Sequence, residues 1–293
     1  MVAGILLVLS GMAAAASDSS LDSSTTTSST SSTTTTTSTT TTLVATTTTT
    51  TTTTPSSSVN PFTVRAVADY LKKRTNLVTA AVFDVRSGQT YLYQPDVHEQ
   101  TASMVKIDIL ADLLYETQRA HRSLTTRENV LSTKMIELSN NGATNQLWTD
   151  IGGRDSLDSF NALIGFKQTF PNYAWGKIET TSRDQVQLLK TIVLPNAILT
   201  APSRAYEMAL MENVTPGQQF GLGWGSPARV NVGLKDGWYR ELGAGWQINT
   251  SGYVQYKGRL YLATIMCTNN SNETYGVGTV TTLSRLIWEN LKP

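Results

Sequence analysis

From Ser17 to Ser58 the chain is almost nothing but serine and threonine, and that tract limits how much of the protein can fold. The only large apolar residues in it are Leu21, Leu43 and Val44. Such a segment cannot bury enough apolar surface to offset the entropy of ordering it, so residues 17–58 read as a disordered linker or stalk. Fully extended, about 40 residues reach on the order of 130 Å. An ordinary spacer has the same composition.

Residues 1–16 carry an apolar core, Ile5-Leu6-Leu7-Val8-Leu9, and then Ala13-Ala14-Ala15-Ala16 with an A-x-A pattern. This reads as a secretory signal peptide, although no Lys or Arg precedes the core. The run is short for a membrane span, and no transmembrane anchor is expected after its removal. No cysteine lies near it, so lipid attachment there is not expected. The protein is therefore expected to be secreted or held at the outer side of the cell envelope.

Residues 59–293 are ample for one domain with a large core. The net charge of +1 gives no electrostatic case for nucleic acid or an anionic membrane. A single cysteine, Cys267, rules out an internal disulfide and ends an apolar run, so it reads as a small buried residue. With only His98 and His121 as histidines, no metal cluster or phosphate-binding loop is evident, and no cofactor is expected. A monomer is expected.

Hydrophobic periodicity places strands at both ends of this region. Residues 77–85 read as a buried strand and residues 90–93 as its hairpin partner across Arg86-Ser87-Gly88-Gln89. Near the C-terminus, strands are predicted at residues 229–234, 245–249, 252–256 and 261–266, followed by a helix over 278–291. Residues 103–214 read as mostly helical. The fold class is thus α+β, an antiparallel five-stranded sheet flanked by helices, with a mostly helical subdomain beside a cleft.

Three short motifs carry chemistry. In Ser103-Met104-Val105-Lys106 the lysine lies one helical turn beyond the serine. Burial lowers a lysine's pKa and makes it a base, and a serine within its reach becomes an activated nucleophile. A helix cap explains Ser103 equally well when it is taken alone. Ser139-Asn140-Asn141 closes one helical run and opens another, where Ser139 could relay a proton and Asn141 could hold a substrate amide. An N-cap cluster is the plainer alternative. Lys235-Asp236-Gly237 ends the strand that begins at Arg229, where Lys235 could neutralise a substrate carboxylate and Gly237 permits close approach of backbone. On an edge strand, the N–H of Trp238 could join that of Ser103 as an oxyanion hole. A hairpin turn at Asp236-Gly237 is the alternative.

Together the motifs resemble the set S-x-x-K, S-D-N and K-T-G of class A β-lactamases and other penicillin-recognising serine hydrolases. The likeness extends through SNNGATNQLWTDIGGRDSLDSF (residues 139–160), Glu179-Thr180-Thr181-Ser182-Arg183-Asp184, and Pro202-Ser203-Arg204 with Met211. It implies Ser103 as nucleophile, Lys106 as its base and Ser139 as proton shuttle. Asn141, Lys235, Asp236 and Gly237 would lie against substrate, and Ser103 and Trp238 would supply the oxyanion N–H groups. The implied substrate is an amide or ester, a β-lactam or a peptidoglycan-peptide-like molecule.

The chain also departs from that pattern. Asn140 and Asp236 replace the usual aspartate and threonine, and only 36 positions separate Ser103 from Ser139. The stretch IGFKQTFPNYAWGK (residues 164–177) has no acidic residue where the resemblance places a deacylating glutamate. Water attack on an acyl-enzyme should then be slow. The alternative is a catalytically weak or inactive module that binds cell-wall fragments.

Overall fold

A computed structural model describes residues 59–291. The leader and the Ser/Thr tract lie outside the described residues. In chain order the elements are α1 (Arg65–Lys72), β1 (Leu77–Asp84), β2 (Gln89–Tyr93), β3 (Glu99–Gln100), α2 (Lys106–Arg119), α3 (Thr126–Glu137), α4 (Asn141–Asp150), α5 (Arg154–Ile164), β4 (Glu179–Thr180), α6 (Ser182–Val193), α7 (Ala201–Glu212), β5 (Asn231–Glu241), β6 (Gly245–Tyr256), β7 (Arg259–Asn270) and α8 (Glu273–Leu291).

Five strands form one antiparallel sheet in the order β2-β1-β7-β6-β5, so the two ends of the domain meet where β1 pairs with β7 from Leu77↔Thr268 to Asp84↔Tyr261. The inner strands are buried along consecutive residues, as a sheet covered on both faces requires. Helix α8, with α1 beside it, packs on β6 and β7, while α6 packs on β1, β6 and β7. Helices α2–α5 and α7 build the helical part around the apolar residues of α2, among them Ile107, Ile109, Leu110 and Leu113. Local signals set the helix ends. Thr125 and Glu128 form a reciprocal capping box on α3, Asn140 caps α4 by accepting from the Ala143 N–H (2.8 Å), and Gly165 ends α5 at φ 93°.

Several predicted boundaries move. The strand predicted to end at Lys235-Asp236-Gly237 continues to Glu241, and the turn falls instead at residues 242–244, where Gly243 has φ 82°. Gly237 stays extended because strand β5 passes against the backbone of residues 101–104. A Cβ there would lie 2.6 Å from the Met104 nitrogen and 2.7 Å from that of Ser103. The two predicted strands at 245–249 and 252–256 are one strand, β6, with an irregularity between Trp246 and Ile248. Its polar centre is tolerated because the Ser251 and Thr264 hydroxyls bond across strands at 2.8 Å. The last helix starts at Glu273, five residues earlier than the periodicity suggests.

Candidate active site

Ser103 does not cap a helix. It sits inside a 3-10 turn, Ala102–Val105, that feeds directly into α2, so Lys106 opens the helix. Ala102, just before it, holds φ 50°, a conformation that costs energy for any residue with a Cβ and is kept only where its surroundings enforce it. The enforcing contacts are the Thr101 N–H, which donates to the Ile178 carbonyl (2.9 Å), and Asn249 Nδ2, which donates to the carbonyls of Gln100 (2.8 Å) and Thr101 (3.0 Å). Ser139, in the three-residue link between α3 and α4, has φ 52°. Both serines of the cluster are thus presented from strained or tightly held backbone.

The Lys106 side chain is fully buried and its Nζ is the hub of the cluster. It lies 2.9 Å from Ser103 Oγ, 3.1 Å from Ser139 Oγ, 2.7 Å from the Ser139 carbonyl and 2.8 Å from Asn141 Oδ1. Burial pushes its pKa down to about 6, and the positive charge of Lys235 pushes in the same direction. At neutral pH the amine is therefore predominantly free base, able to accept the proton of Ser103. Asn141 spends its carbonyl oxygen on Lys106, which leaves its Nδ2 to face the cleft that Ser103 and Asn141 line.

The opposite wall is β5, the edge strand of the sheet, which runs beside the Ser103 turn at Gly237. Trp238 and Tyr239 line the cleft, and the Trp238 ring packs edge-on against Phe220 (centroids 5.4 Å apart). Lys235 and Asp236 do not line it. Both are fully buried. Lys235 Nζ donates to the Asp236 carbonyl at 2.8 Å, and the Asp236 carboxylate accepts from the Phe220 N–H. Burial pulls the lysine's pKa down and the aspartate's up, each opposed by the other's charge. The expected contact of Lys235 with a substrate carboxylate is not available in this arrangement.

The third wall is the acid-free stretch before β4. Asp184 anchors its start by accepting from the N–H groups of Lys167 and Gln168 and from the Thr169 hydroxyl. Its end brings Trp175 over the cluster, with the ring centroid 5.0 Å from Lys106 Nζ and Nε1 donating to Asn145 Oδ1 at 2.9 Å. Glu179 is exposed and paired in register with Gln100. Trp175, Asn145, Tyr239 and the Lys177–Glu241 ion pair at the rim were not singled out in the sequence. Only Trp175 carried a signal, as the last of the aromatic residues in the segment lacking an acid. The cleft these walls enclose has a volume of about 270 Å³. Among the described residues no group of three or more His, Cys, Asp or Glu side chains is arranged to hold a metal ion.

An antiparallel sheet with helices on both faces and a Ser–Lys–Ser cluster beside its edge strand is the β-lactamase-like serine hydrolase fold. Solved structures show the same architecture. The TLA-1 extended-spectrum β-lactamase superposes with a TM-score of 0.70 at 18% identity, covering 78% of this chain and 97% of that one. The protein PBP-A superposes with a TM-score of 0.66 at 20% identity, covering 76% and 93%. The chain belongs to the Beta-lactamase enzyme family, whose sequence profile matches residues 128–291, more than half of its length. That match takes in Ser139, Asn141 and residues 235–238 and begins after Ser103 and Lys106. A relative from Mycobacterium tuberculosis, named "Putative lipoprotein LppW", is 23% identical over 238 residues, covering 78% of this chain and 75% of that protein.

Proposed function

We propose that the protein is a secreted or envelope-held serine hydrolase that works through an acyl-enzyme and releases it slowly. The observation that carries this reading is the Lys106 amine, buried, depressed in pKa to about 6 and 2.9 Å from Ser103 Oγ. Ser103 Oγ attacks the acyl carbon of an amide or ester while its proton passes to Lys106 Nζ. The carbonyl becomes an oxyanion, held by the N–H groups of Ser103 and Trp238. As the bond from carbon to the leaving nitrogen or oxygen breaks, Ser139 Oγ hands that atom a proton and regains one from Lys106. The product is an ester on Ser103. Asn141 Nδ2 binds the substrate's amide oxygen, Gly237 lets β5 approach the Ser103 turn, and Lys235 acts on Lys106 through its charge. Water completes the cycle slowly because the wall facing Lys106 presents Trp175 and no carboxylate.

Envelope placement rests on the leader, on the Ser/Thr tract and on the name of the mycobacterial relative. Residues 1–58 contain no cysteine to carry a lipid. The rival reading, a binding module that recognises wall fragments without turnover, draws its support from the same Trp175 wall. Intact-protein mass after incubation with β-lactams and a fluorophosphonate, in wild type and Ser103→Ala, decides between them. An adduct that the mutant loses and that persists for hours is the expected result. No adduct with any probe sinks the acyl-enzyme reading and leaves the binding module.

A further inference from the structure

We infer that the cleft selects acyl donors with no carboxylate beside the scissile bond: uncharged amides or esters whose acyl body is apolar and planar. This rests on the acyl-enzyme reading and names its substrate class. An anion bound next to Ser103 needs a cation it can reach. Lys235, the cation that the third motif offers, has no exposed surface and directs its ammonium to the Asp236 carbonyl. Beside it the Asp236 carboxylate is also buried, so any negative charge it carries repels an incoming anion at short range. Among the described residues lining the cleft, Lys177 is the only charged one, and both its contacts at 3.0 Å are to the Glu241 carboxylate. Tyr239 donates its hydroxyl to the same carboxylate (2.8 Å), which holds that pair at the rim. Besides Ser103, Asn141 and three small residues, what remains on the walls is aromatic: Trp175, Trp238 and the Tyr239 ring. Such faces favour flat apolar groups and offer a carboxylate no compensation for its lost hydration.

The test compares benzylpenicillin with its methyl ester, which replaces the carboxylate beside the scissile amide with an uncharged ester one methyl larger. Acylation of Ser103 in the full chain is followed by intact mass, with each rate divided by the compound's rate of reaction with hydroxide. A fluorophosphonate and p-nitrophenyl phenylacetate serve as uncharged controls. The methyl ester is expected to acylate at least about tenfold faster than the free acid, the equivalent of roughly 1.4 kcal/mol in the barrier. In Asp236→Asn the gap is expected to narrow. Equal rates, or a faster free acid, with the controls reacting, overturn the inference and leave the acyl-enzyme reading standing. A gap undiminished in Asp236→Asn overturns the part assigned to that carboxylate. Failure of every probe, the fluorophosphonate included, overturns the acyl-enzyme reading and this inference with it.

Discussion

At the scale of single residues the site is governed by one desolvated amine. Among the described residues nothing acidic pairs with Lys106: its four neighbours within 3.1 Å are neutral oxygens, and the charged group that acts on it is another cation, Lys235. Its protonated form is therefore the costly one. The rate of Ser103 acylation by an uncharged ester should rise with pH through about 6 and level off above, because the base is free only above its own pKa. A midpoint near 10, the ordinary range of a lysine, would show that burial does not depress the Lys106 amine. Trp175 supplies part of the cover that desolvates Lys106, so Trp175→Ala should move the midpoint upward. Lys106→Ala should cost on the order of 10²–10⁴-fold in acylation without abolishing fluorophosphonate labelling outright. A midpoint unmoved in Trp175→Ala would assign the desolvation to the helix and the Ser139 link alone.

At the scale of elements the site depends on how closely β5 passes the Ser103 turn. The atoms that a Cβ at position 237 would meet are backbone nitrogens and a carbonyl at 2.6–2.9 Å, which cannot swing aside as a side chain would. Gly237→Ala should push β5 away from Ser103 and cut acylation by about 100-fold or more, the scale of losing an oxyanion donor, while the sheet stays folded. Stopped-flow acylation and far-UV circular dichroism read the two halves of that expectation, and unimpaired acylation in Gly237→Ala would rule out a tight β5–turn contact. This contact was legible only in outline. The motif placed a glycine there, but Asp-Gly is a strong turn signal, and local chemistry favoured a hairpin where the fold keeps an extended strand. Longer-range packing decided the matter, since the exposed Leu242-Gly243 pair offers the turn a cheaper place. The split reading of β6 failed for a related reason: Asn249, Thr250 and Ser251 look like a break until their partners on neighbouring segments are known. By contrast, Asn140 as a helix cap and the serine-to-lysine turn were readable directly, because both are contacts within four residues.

For the whole molecule, the meeting of the two chain ends in one sheet was foreseeable from β-branched runs on either side of a helical middle. The accessibility of polar groups was not, because it depends on which surfaces the packing of that middle covers. Lys235 is one case and Glu99 another. Glu99 lies on β3, paired with Thr180 of β4, and its buried side chain reaches Thr79 of β1. Thr79 Oγ1 donates to its Oε1 at 2.8 Å, and its Oε2 has no partner among the described residues. Burial raises its pKa to about 8, with the Thr79 hydrogen bond opposing. A carboxyl whose pKa is higher folded than unfolded binds more protons when folded, so stability is lost as pH climbs from about 4.5 to about 8. Glu99→Gln keeps the Thr79 acceptor and removes the titration. It should leave the melting temperature nearly unchanged at pH 4.5 and raise it at pH 8, by a stabilisation on the order of 2 kcal/mol, because a tenfold change in proton affinity corresponds to about 1.4 kcal/mol and relaxation around the charge recovers part of the cost. Thermal unfolding of both proteins across that range is the measurement. An equal difference at both ends of the range would mean that Glu99 does not titrate on folding. A loss of stability in Glu99→Gln at pH 8 would mean that the ionised carboxylate is held by a partner on the sheet side.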